Sequence, residues 1–293
     1  MARFCDLPAP LIERIAQHVR GRDGGLSLLS VCRYLRSFAE KAIYRTIELN
    51  FSGRPNPNCG LHYLIRTLLV RPDLAASTEH LSINCESDQV VLSSDAKDID
   101  RTFIRNLKLD DHDEQNWLSA LDCDVTDLYA ALIVLLVPNV IDLTLQVLDR
   151  FYFTPQVINP SFPFFPSGPN ISGSLKTLKY GSGLRTDETE VMQEAYPMRH
   201  ITLLFYHPHL TKLDVTGVGG GTLSWPTPNR PASNIRHFSI HGPWSELPVL
   251  EEYLAASPQA ESVEVFADDR ENSKLTVYGD FGRALQKVNS TRL

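Results

Sequence analysis

The sequence predicts an α/β fold, in which a short helical segment precedes an irregular solenoid of parallel strands and returning helices. From Tyr44 onward, a pattern of the form apolar-x-x-apolar-x-apolar recurs at intervals of 25 to 36 residues. These intervals leave room for a strand and a helix, whereas a hairpin sheet would repeat about every 8–12 residues. The residues between the apolar positions are mostly polar, as on strands with one buried face. An α/β sandwich with coincidental spacing is the alternative.

Composition excludes several classes of protein. Of the 293 residues, 43% are hydrophobic and 22% are charged, which is ordinary globular composition. A net charge of −7 disfavours a general nucleic-acid binder, because such proteins need cations to displace counterions from phosphates. The longest strongly apolar run, Leu128–Val137, is far shorter than the roughly 20 residues of a membrane span. We therefore expect neither a nucleic-acid partner nor a membrane segment.

The N-terminal residues contain no apolar signal segment. The five cysteines form no C-x-x-C pair. We therefore expect reduced thiols and a location in the cytoplasm, the nucleus or both.

The first fifty residues predict a small helical module. Leu11, Ile12, Ile15 and Val19 recur at helical spacing and form an apolar stripe. Residues 21–25 break this helix, and a second helical stretch has its apolar positions between Leu28 and Ala42. Such short helices form a small core, which normally needs a partner or a neighbouring domain for stability.

The strands of the solenoid are predicted at eight copies of the pattern. Their apolar positions, with Thr78 as the weakest member, are Tyr44/Ile47/Leu49, Thr78/Leu81/Ile83, Ile104/Leu107/Leu109, Val140/Leu143/Leu145, Leu175/Leu178/Tyr180, Leu210/Leu213/Val215, Ile235/Phe238/Ile240 and Ala260/Val263/Val265. Helices are predicted over Leu61–Leu74, Trp117–Val137 and Leu247–Ala256. We expect the strands to line a concave side and the helices to cover the convex side.

Two long insertions interrupt the repeats. Residues 151–170 are rich in proline and aromatic residues, and residues 217–231 are rich in glycine and proline. Long loops on a rigid scaffold often carry binding sites. The alternative is that such a segment packs as a lid against the sheet.

The N-terminal segment resembles an F-box over residues 7–49. The residues that fit the family pattern are Leu7-Pro8, Leu11-Ile12, Ile15, Val19, Leu26, Leu29, Val31-Cys32-Arg33 and Leu35-Arg36. The remainder resembles leucine-rich repeats in irregular form. On this resemblance the chain divides into an F-box domain, residues 1–45, and a repeat domain, residues 46–293. A generic helical module at the N-terminus is the alternative.

The resemblance implies a substrate-recognition subunit of an SCF-type (Skp–cullin–F-box) ubiquitin ligase. The F-box would bind a Skp-type adaptor, and through it a cullin, while the repeats bind a protein substrate. The adaptor-binding residues implied are Leu7, Pro8, Leu11, Ile12, Ile15, Val19, Leu26, Leu29, Val31 and Cys32. No catalytic residue and no cofactor is implied. The alternative function is a non-catalytic interaction scaffold with no ligase role. A third hypothesis is an enzyme with a site under the insertion of residues 151–170, which no motif in the sequence favours.

The predicted strands also suggest where a substrate would bind. The polar residue between the two inward positions of a strand must face the concave side. These candidates are Lys108, Thr144, Lys179, Asp214 and Ser239. Phe164 and Phe165, flanked by prolines in the first insertion, are the predicted apolar anchors, since buried aromatic residues often dominate interfaces.

Motifs for metal or nucleotide chemistry are incomplete. The glycines of residues 217–221 lack the Lys-Ser/Thr ending of a phosphate-binding loop. Asp122-x-Asp124 begins like a calcium loop, but Asp127 stands where the turn needs glycine. His207 and His209 have no third ligand at suitable spacing, so no metal is predicted. The segment from Asp110 to Asp127 is rich in acidic residues and contains no Lys or Arg. They indicate either a solvated face or a surface for a basic partner.

Overall fold

The computed structural model describes residues 7–18, 27, 33–51, 61–85, 94–147, 153–158, 173–181, 202–216, 233–242, 256–257 and 259–267. Its helices are α1 (Ala9–His18), α2 (Arg33–Tyr44), α3 (Leu61–Val70), α4 (Pro72–Ala75), α5 (Ser94–Asn106), α6 (Asp111–Asp122), α7 (Thr126–Leu136) and α8 (Phe153–Ile158), with a 3-10 turn at Leu203–Tyr206. None of the helices in these ranges is long and apolar enough to cross a membrane.

In the described part of the chain, seven parallel strands form one sheet. They are β1 (Thr46–Phe51), β2 (His80–Cys85), β3 (Asp142–Val147), β4 (Thr177–Gly181), β5 (Lys212–Thr216), β6 (His237–Gly242) and β7 (Ser262–Ala267). Their order in the sheet is their order in the chain. The chain therefore always advances in one direction, without the reversal point of doubly wound sheets. The predicted α/β class with a parallel sheet is confirmed.

The strand predicted around Ile104–Leu109 is wrong. Helix α5 continues to Asn106, and β2 pairs directly with β3. Lys108 follows the helix with a φ of 55°. Ile104 and Leu109 are buried as predicted, but Ile104 belongs to the helix and Leu109 to the turn after it. Apolar spacing alone does not separate these cases, because i and i+3 also share one side of a helix.

The core lies between the sheet and a layer of helices. On the strands the buried residues include Ile47, Leu81, Ile83, Leu143, Leu145, Leu178, Tyr180, Leu213, Val215, Phe238 and Ile240. Every residue of α7 from Thr126 to Leu135 is buried, as expected for a helix that is apolar on all sides. Helix α7 packs against α3, α6 and α8, so it is the centre of the helical layer.

Two predicted helices are each divided in two. The Leu61–Leu74 helix is interrupted at Arg71, where Pro72 begins α4. The Trp117–Val137 helix is interrupted after Asp122 by a Schellman turn, in which Val125 N–H donates to Ala120 O. Asp124 takes the left-handed position of that turn, with a φ of 55°. Glycine usually fills this position, so the sequence lacked the usual signal for the break. The predicted Leu247–Ala256 helix lies outside the described residues except for Ala256.

A repeated backbone contact sets the spacing of the strands. The carbonyl just before each of the first six strands accepts two hydrogen bonds, of 2.7–3.1 Å, from successive N–H groups at the start of the next strand. The acceptors are the carbonyls of Arg45, Glu79, Ile141, Lys176, Thr211 and Arg236. Each repeat is therefore positioned by the one before it.

A second contact repeats on the side chains. Asn139, Ser174 and Asn234 each lie three residues before a strand and donate to a carbonyl of the preceding repeat. The acceptors are Ala76, Pro138 and Pro208, each four residues before its own strand. Thr78 is buried where other repeats have an apolar residue, and its hydroxyl donates to Tyr44 O at 2.9 Å. These polar ties satisfy backbone groups between repeats.

Candidate functional site

The side of the sheet opposite the helices is polar. Register pairing aligns one residue from each strand into a row, which we call the middle row: Glu48, Ser82, Thr144, Lys179, Asp214, Ser239 and Glu264. Each of these residues lies between two apolar residues of its strand, and none is buried. Neighbouring positions are about 4.8 Å apart, the spacing of paired strands. The middle row is therefore a continuous polar strip across the sheet.

Four of the predicted substrate-binding residues lie side by side in the middle row. Thr144 pairs with Lys179, Lys179 with Asp214, and Asp214 with Ser239. Lys179 is exposed and the other three are half-buried. These four side chains are therefore placed to contact a partner together.

Lys108 does not belong to this group. It lies in the turn between α5 and α6 because the segment before it is helical. Ser82, from the true neighbouring strand, takes the position beside Thr144. Ser82 was missed because Thr78-x-x-Leu81-x-Ile83 was the weakest copy of the pattern.

A second row lies at the starts of the strands: Thr46, His80, Asp142, Thr177, Lys212, His237 and Ser262. His80 Nδ1 is 2.8 Å from Asp142 Oδ2, and His237 Nδ1 is 2.8 Å from Ser262 Oγ. Both contacts join neighbouring strands and hold each imidazole in one orientation. The sequence placed these residues on the polar face without singling them out, because their pairing depends on the register.

The charges of the two rows form a mosaic. Lysines stand only on the central strands β4 and β5, as Lys179 and Lys212. Carboxylates stand on β1, β3 and β7, which lie on both sides of these strands, as Glu48, Asp142 and Glu264, and on β5 itself as Asp214. A face with both signs of charge favours a partner that offers both signs in matching positions.

The last residue of β4, Gly181, lies unusually close to the neighbouring strand β5. Gly181 pairs with Thr216 of β5. A Cβ on Gly181 would stand 2.7 Å from Thr216 Cβ and 2.8 Å from Thr216 O. Any side chain here would displace β5, so this position requires glycine.

The N-terminal helices expose part of their apolar residues. Helix α1 packs against α2, with Ile12 and Ala16 buried. Leu11 and Ile15, one turn apart on α1, are 47% and 37% exposed. Ile12 is 1% exposed, so it supports the pair of helices from inside.

The other adaptor-binding candidates divide into two groups. Leu7 is half-buried and Pro8 is exposed. Val19, Leu26, Leu29, Val31 and Cys32 lie outside the described residues.

A single residue connects the N-terminal helices to the sheet, and side-chain hydrogen bonds hold this connection in place. Helix α2 ends at Tyr44, β1 begins at Thr46, and α2 contacts both α4 and β1. Arg45 donates to Glu79 Oε2 from Nε at 2.9 Å and from Nη2 at 2.6 Å. Arg71 bonds Glu40 of α2 at 3.3 Å. Since such surface ion pairs contribute little stability, their effect here is to orient α2 on the sheet.

The first insertion begins with a structural helix. Helix α8 is almost wholly buried and packs on α7. The ring of Phe153 meets that of Trp117 edge to face at 5.2 Å. This part of the insertion is a packed element, whereas Phe164 and Phe165 lie outside the described residues, as does the insertion of residues 217–231.

The acidic run has separate local roles in the fold. Asp110 caps α6 by accepting from Asp113 N–H at 2.8 Å, Asp122 and Asp124 pair with basic residues of α5, and Asp127 is fully buried. Four acidic residues of this run are therefore engaged in intramolecular contacts or buried.

His207 and His209 occupy different environments. His207 is 1% exposed, whereas His209 is exposed. Burial, with a smaller effect of the neighbouring His209 charge, lowers the pKa of His207 to about 4. The described residues contain no group of three or more His, Cys, Asp or Glu that could hold a metal ion.

Neither a protein-family model nor a curated protein sequence matches this chain.

Proposed function

We propose that this chain is a non-catalytic substrate-recognition subunit of an SCF-type ubiquitin ligase. The helices α1 and α2 would belong to an F-box that binds a Skp-type adaptor, and through it a cullin. The observation that carries the proposal is the exposure of Leu11 and Ile15 on a helix whose Ile12 and Ala16 are buried. An apolar face left in solvent by a small helical pair is typical of a docking surface.

We further propose that the sheet belongs to an irregular leucine-rich-repeat solenoid. The strand order follows the chain order, and two hydrogen-bond patterns recur from repeat to repeat. Both observations support a solenoid, because in such folds each repeat contacts its neighbours. Its polar face, with the middle row at its centre, would bind the substrate protein.

In this proposal the chain acts by positioning. The contacts of α2 with α4 and β1 and the Arg45–Glu79 pair would keep the adaptor-binding helices fixed relative to the polar face. A substrate lysine would then be held at high effective concentration near the ubiquitin-charged enzyme of the complex, and positioning of this kind supplies a large part of many rate accelerations.

Co-purification tests the adaptor surface. We expect the full chain, co-expressed with a Skp-type adaptor, to form a stable complex. The double variant Leu11→Asp/Ile15→Asp should lose this complex, because two carboxylates would be buried against an apolar surface at several kcal/mol each. The matched control is Tyr63→Asp/Val70→Asp on α3, where the side chains are 61% and 68% exposed. This control should bind the adaptor normally.

The results separate this proposal from the scaffold alternative. If the unchanged chain does not bind the adaptor, a non-catalytic interaction scaffold is favoured. If the Leu11/Ile15 variant still binds while its circular dichroism and melting temperature are unchanged, the proposed F-box surface is wrong.

A further inference from the structure

Helix α5 carries a buried carboxyl group without a partner. The residue is Asp100, which is 1% exposed, and its Oδ2 atom accepts no hydrogen bond. Ile104, one turn further along the same side of α5, is fully buried. Aspartate is almost never fully buried unless it is paired, so this position stands out in the described part of the chain.

The basic residues nearest along the helix bind other acids. Lys97, three residues before Asp100, contacts Asp124 Oδ1 at 2.8 Å and donates to Asp122 O at 3.2 Å. Arg101 contacts Asp122 Oδ1 at 2.5 Å and Asp98 Oδ1 at 2.9 Å. These contacts hold α5 against the end of α6 and the turn after it, and they leave Asp100 without a cation.

The helices packed against α5 also leave Asp100 unpaired. They are α3 and α6, whose ionisable residues are His62, Tyr63, Arg66, Asp111, His112, Asp113, Glu114 and Asp122. All except His62, Asp113 and Glu114 are exposed. No residue of either helix forms a hydrogen bond or an ion pair with Asp100 in the structure as described.

An ionised carboxyl group in this position is unfavourable, because burial removes its hydration and no charge or donor replaces it. Burial alone raises the pKa of Asp100 to about 7. The packed form of α5 therefore holds a neutral carboxyl group at acidic pH. Ionisation is easier once the helix has opened and the carboxylate is hydrated.

We propose that α5 is a proton-controlled element, which is closed against α3 and α6 while Asp100 is protonated and is released as Asp100 ionises. The sign follows from linkage. Because the closed form binds the proton more tightly than the open form, closure is most stable below about pH 4 and weakens as pH rises to about 7. Above pH 7 the remaining change in the opening constant is at most about twofold. This inference is independent of the proposed ligase function.

Hydrogen exchange of the whole chain, followed by mass spectrometry and corrected for the intrinsic pH dependence, tests the proposal. In peptides covering α5, the opening constant should rise about 50-fold from pH 5 to pH 7 and by no more than about twofold above pH 7. Asp100→Asn and Asp100→Leu should both abolish this rise. The matched control Asp98→Asn changes an acid of the same helix whose side chain is 75% exposed, and it should keep the rise.

A pH-independent opening constant in the unchanged chain would overturn the proposal, as would a rise that survives in a folded Asp100 variant. If neither Asp100 variant folds, the carboxyl ¹³C shift of Asp100 in the unchanged chain decides. A titration midpoint near 7 supports the proposal, and a midpoint near the ordinary 3.8 contradicts it.

Discussion

The carboxylate of Asp127, on α7, accepts a hydrogen bond of 2.6 Å from the backbone N–H of Phe153, the first residue of α8. It also accepts from the backbone N–H of Thr154 at 3.3 Å and from the Thr154 hydroxyl. Asp127 is fully buried. An acid on one helix thus caps another helix, 26 residues later in the chain.

Removal of this cap should destabilise the fold. Asp127→Ala leaves the buried N–H groups of Phe153 and Thr154 without the carboxylate, while the Thr154 hydroxyl keeps only its 3.3 Å bond to the backbone carbonyl of residue 127, so we expect a loss of about 2–4 kcal/mol in unfolding free energy. Asp110→Ala is the matched control, because Asp110 caps α6 from an exposed position. It should cost about 1 kcal/mol. Urea denaturation at neutral pH measures both losses, and equal losses would contradict the role assigned to Asp127.

His207 should make the fold sensitive to acid. Its pKa is about 4 in the folded chain and about 6.5 when unfolded. Between these values the unfolded chain binds the proton more readily, so stability falls as pH falls from about 6.5 to about 4, by about 3 kcal/mol in total. His207→Phe should remove this slope. Urea denaturation at pH 4.5, 5.5 and 7 gives the variant-minus-parent difference.

The variant is compared with the unchanged chain because the contribution of Asp100 to stability changes with pH in the opposite direction. It falls as pH rises from about 4 to about 7. His209→Phe is the control, since His209 is exposed, and its slope should match that of the unchanged chain. A parallel pH dependence in His207→Phe and the unchanged chain would contradict the assignment.

The side-chain ties between repeats should contribute measurably. Asn139→Ala removes the 2.7 Å bond to Ala76 O, and Asn234→Ala removes the 2.6 Å bond to Pro208 O. Each should lower the unfolding free energy by about 1 kcal/mol. Gln115→Ala, at an exposed position of α6, is the control and should be neutral. Chemical denaturation measures the unfolding free energy of all three variants. If Asn139→Ala and Asn234→Ala leave it unchanged, water replaces these hydrogen bonds at no cost.

Lys179 tests the polar face as a substrate site. Lys179→Glu reverses the charge at the centre of the middle row, and we expect about a tenfold loss of substrate capture, equal to about 1.4 kcal/mol. Lys176→Glu is the control, because Lys176 is exposed but lies before β4 and outside the middle row. Proximity labelling in cells, with degradation blocked, compares the captured proteins. Equal capture by the two variants, with unchanged adaptor binding, would argue against the middle row.

Phe164 and Phe165 stay the predicted apolar anchors of the first insertion. Replacing both by serine should reduce substrate capture and leave the melting temperature and adaptor binding nearly unchanged, because anchors of an interface carry binding energy and not fold stability. A large drop in melting temperature would instead show that this part of the insertion packs on the fold, as α8 does.

Most of the strands could be predicted from the sequence because the alternation of apolar and polar residues is a property of each strand by itself. Alternation of apolar and polar residues fixes which side of each strand is buried, and Thr144, Lys179, Asp214 and Ser239 were placed in one row on that basis. Lys108 failed the same rule, since its apolar neighbours belong to a helix and a turn.

Other features depend on contacts between distant segments. The capping role of Asp127 requires α8 to pack on α7, and nothing near Asp127 in the chain indicates that. The burial of Asp100 likewise follows from the packing of α5 on α3 and α6. Sequence periodicity predicts which side of a helix is apolar, but it does not predict which acid will be enclosed there.

The paired hydrogen bonds at the strand starts have a consequence for how this chain tolerates change in length. Each strand from β2 on is aligned by the N–H groups of its first residue and of the residue before it, which both bond one carbonyl of the preceding repeat, and this contact is the same whatever the length of the connection. Connections as different as the 56 residues between Cys85 and Asp142 and the 19 between Gly242 and Ser262 therefore join strands in the same way. New segments, even whole foreign domains, should be accepted in these connections while the polar face keeps its geometry.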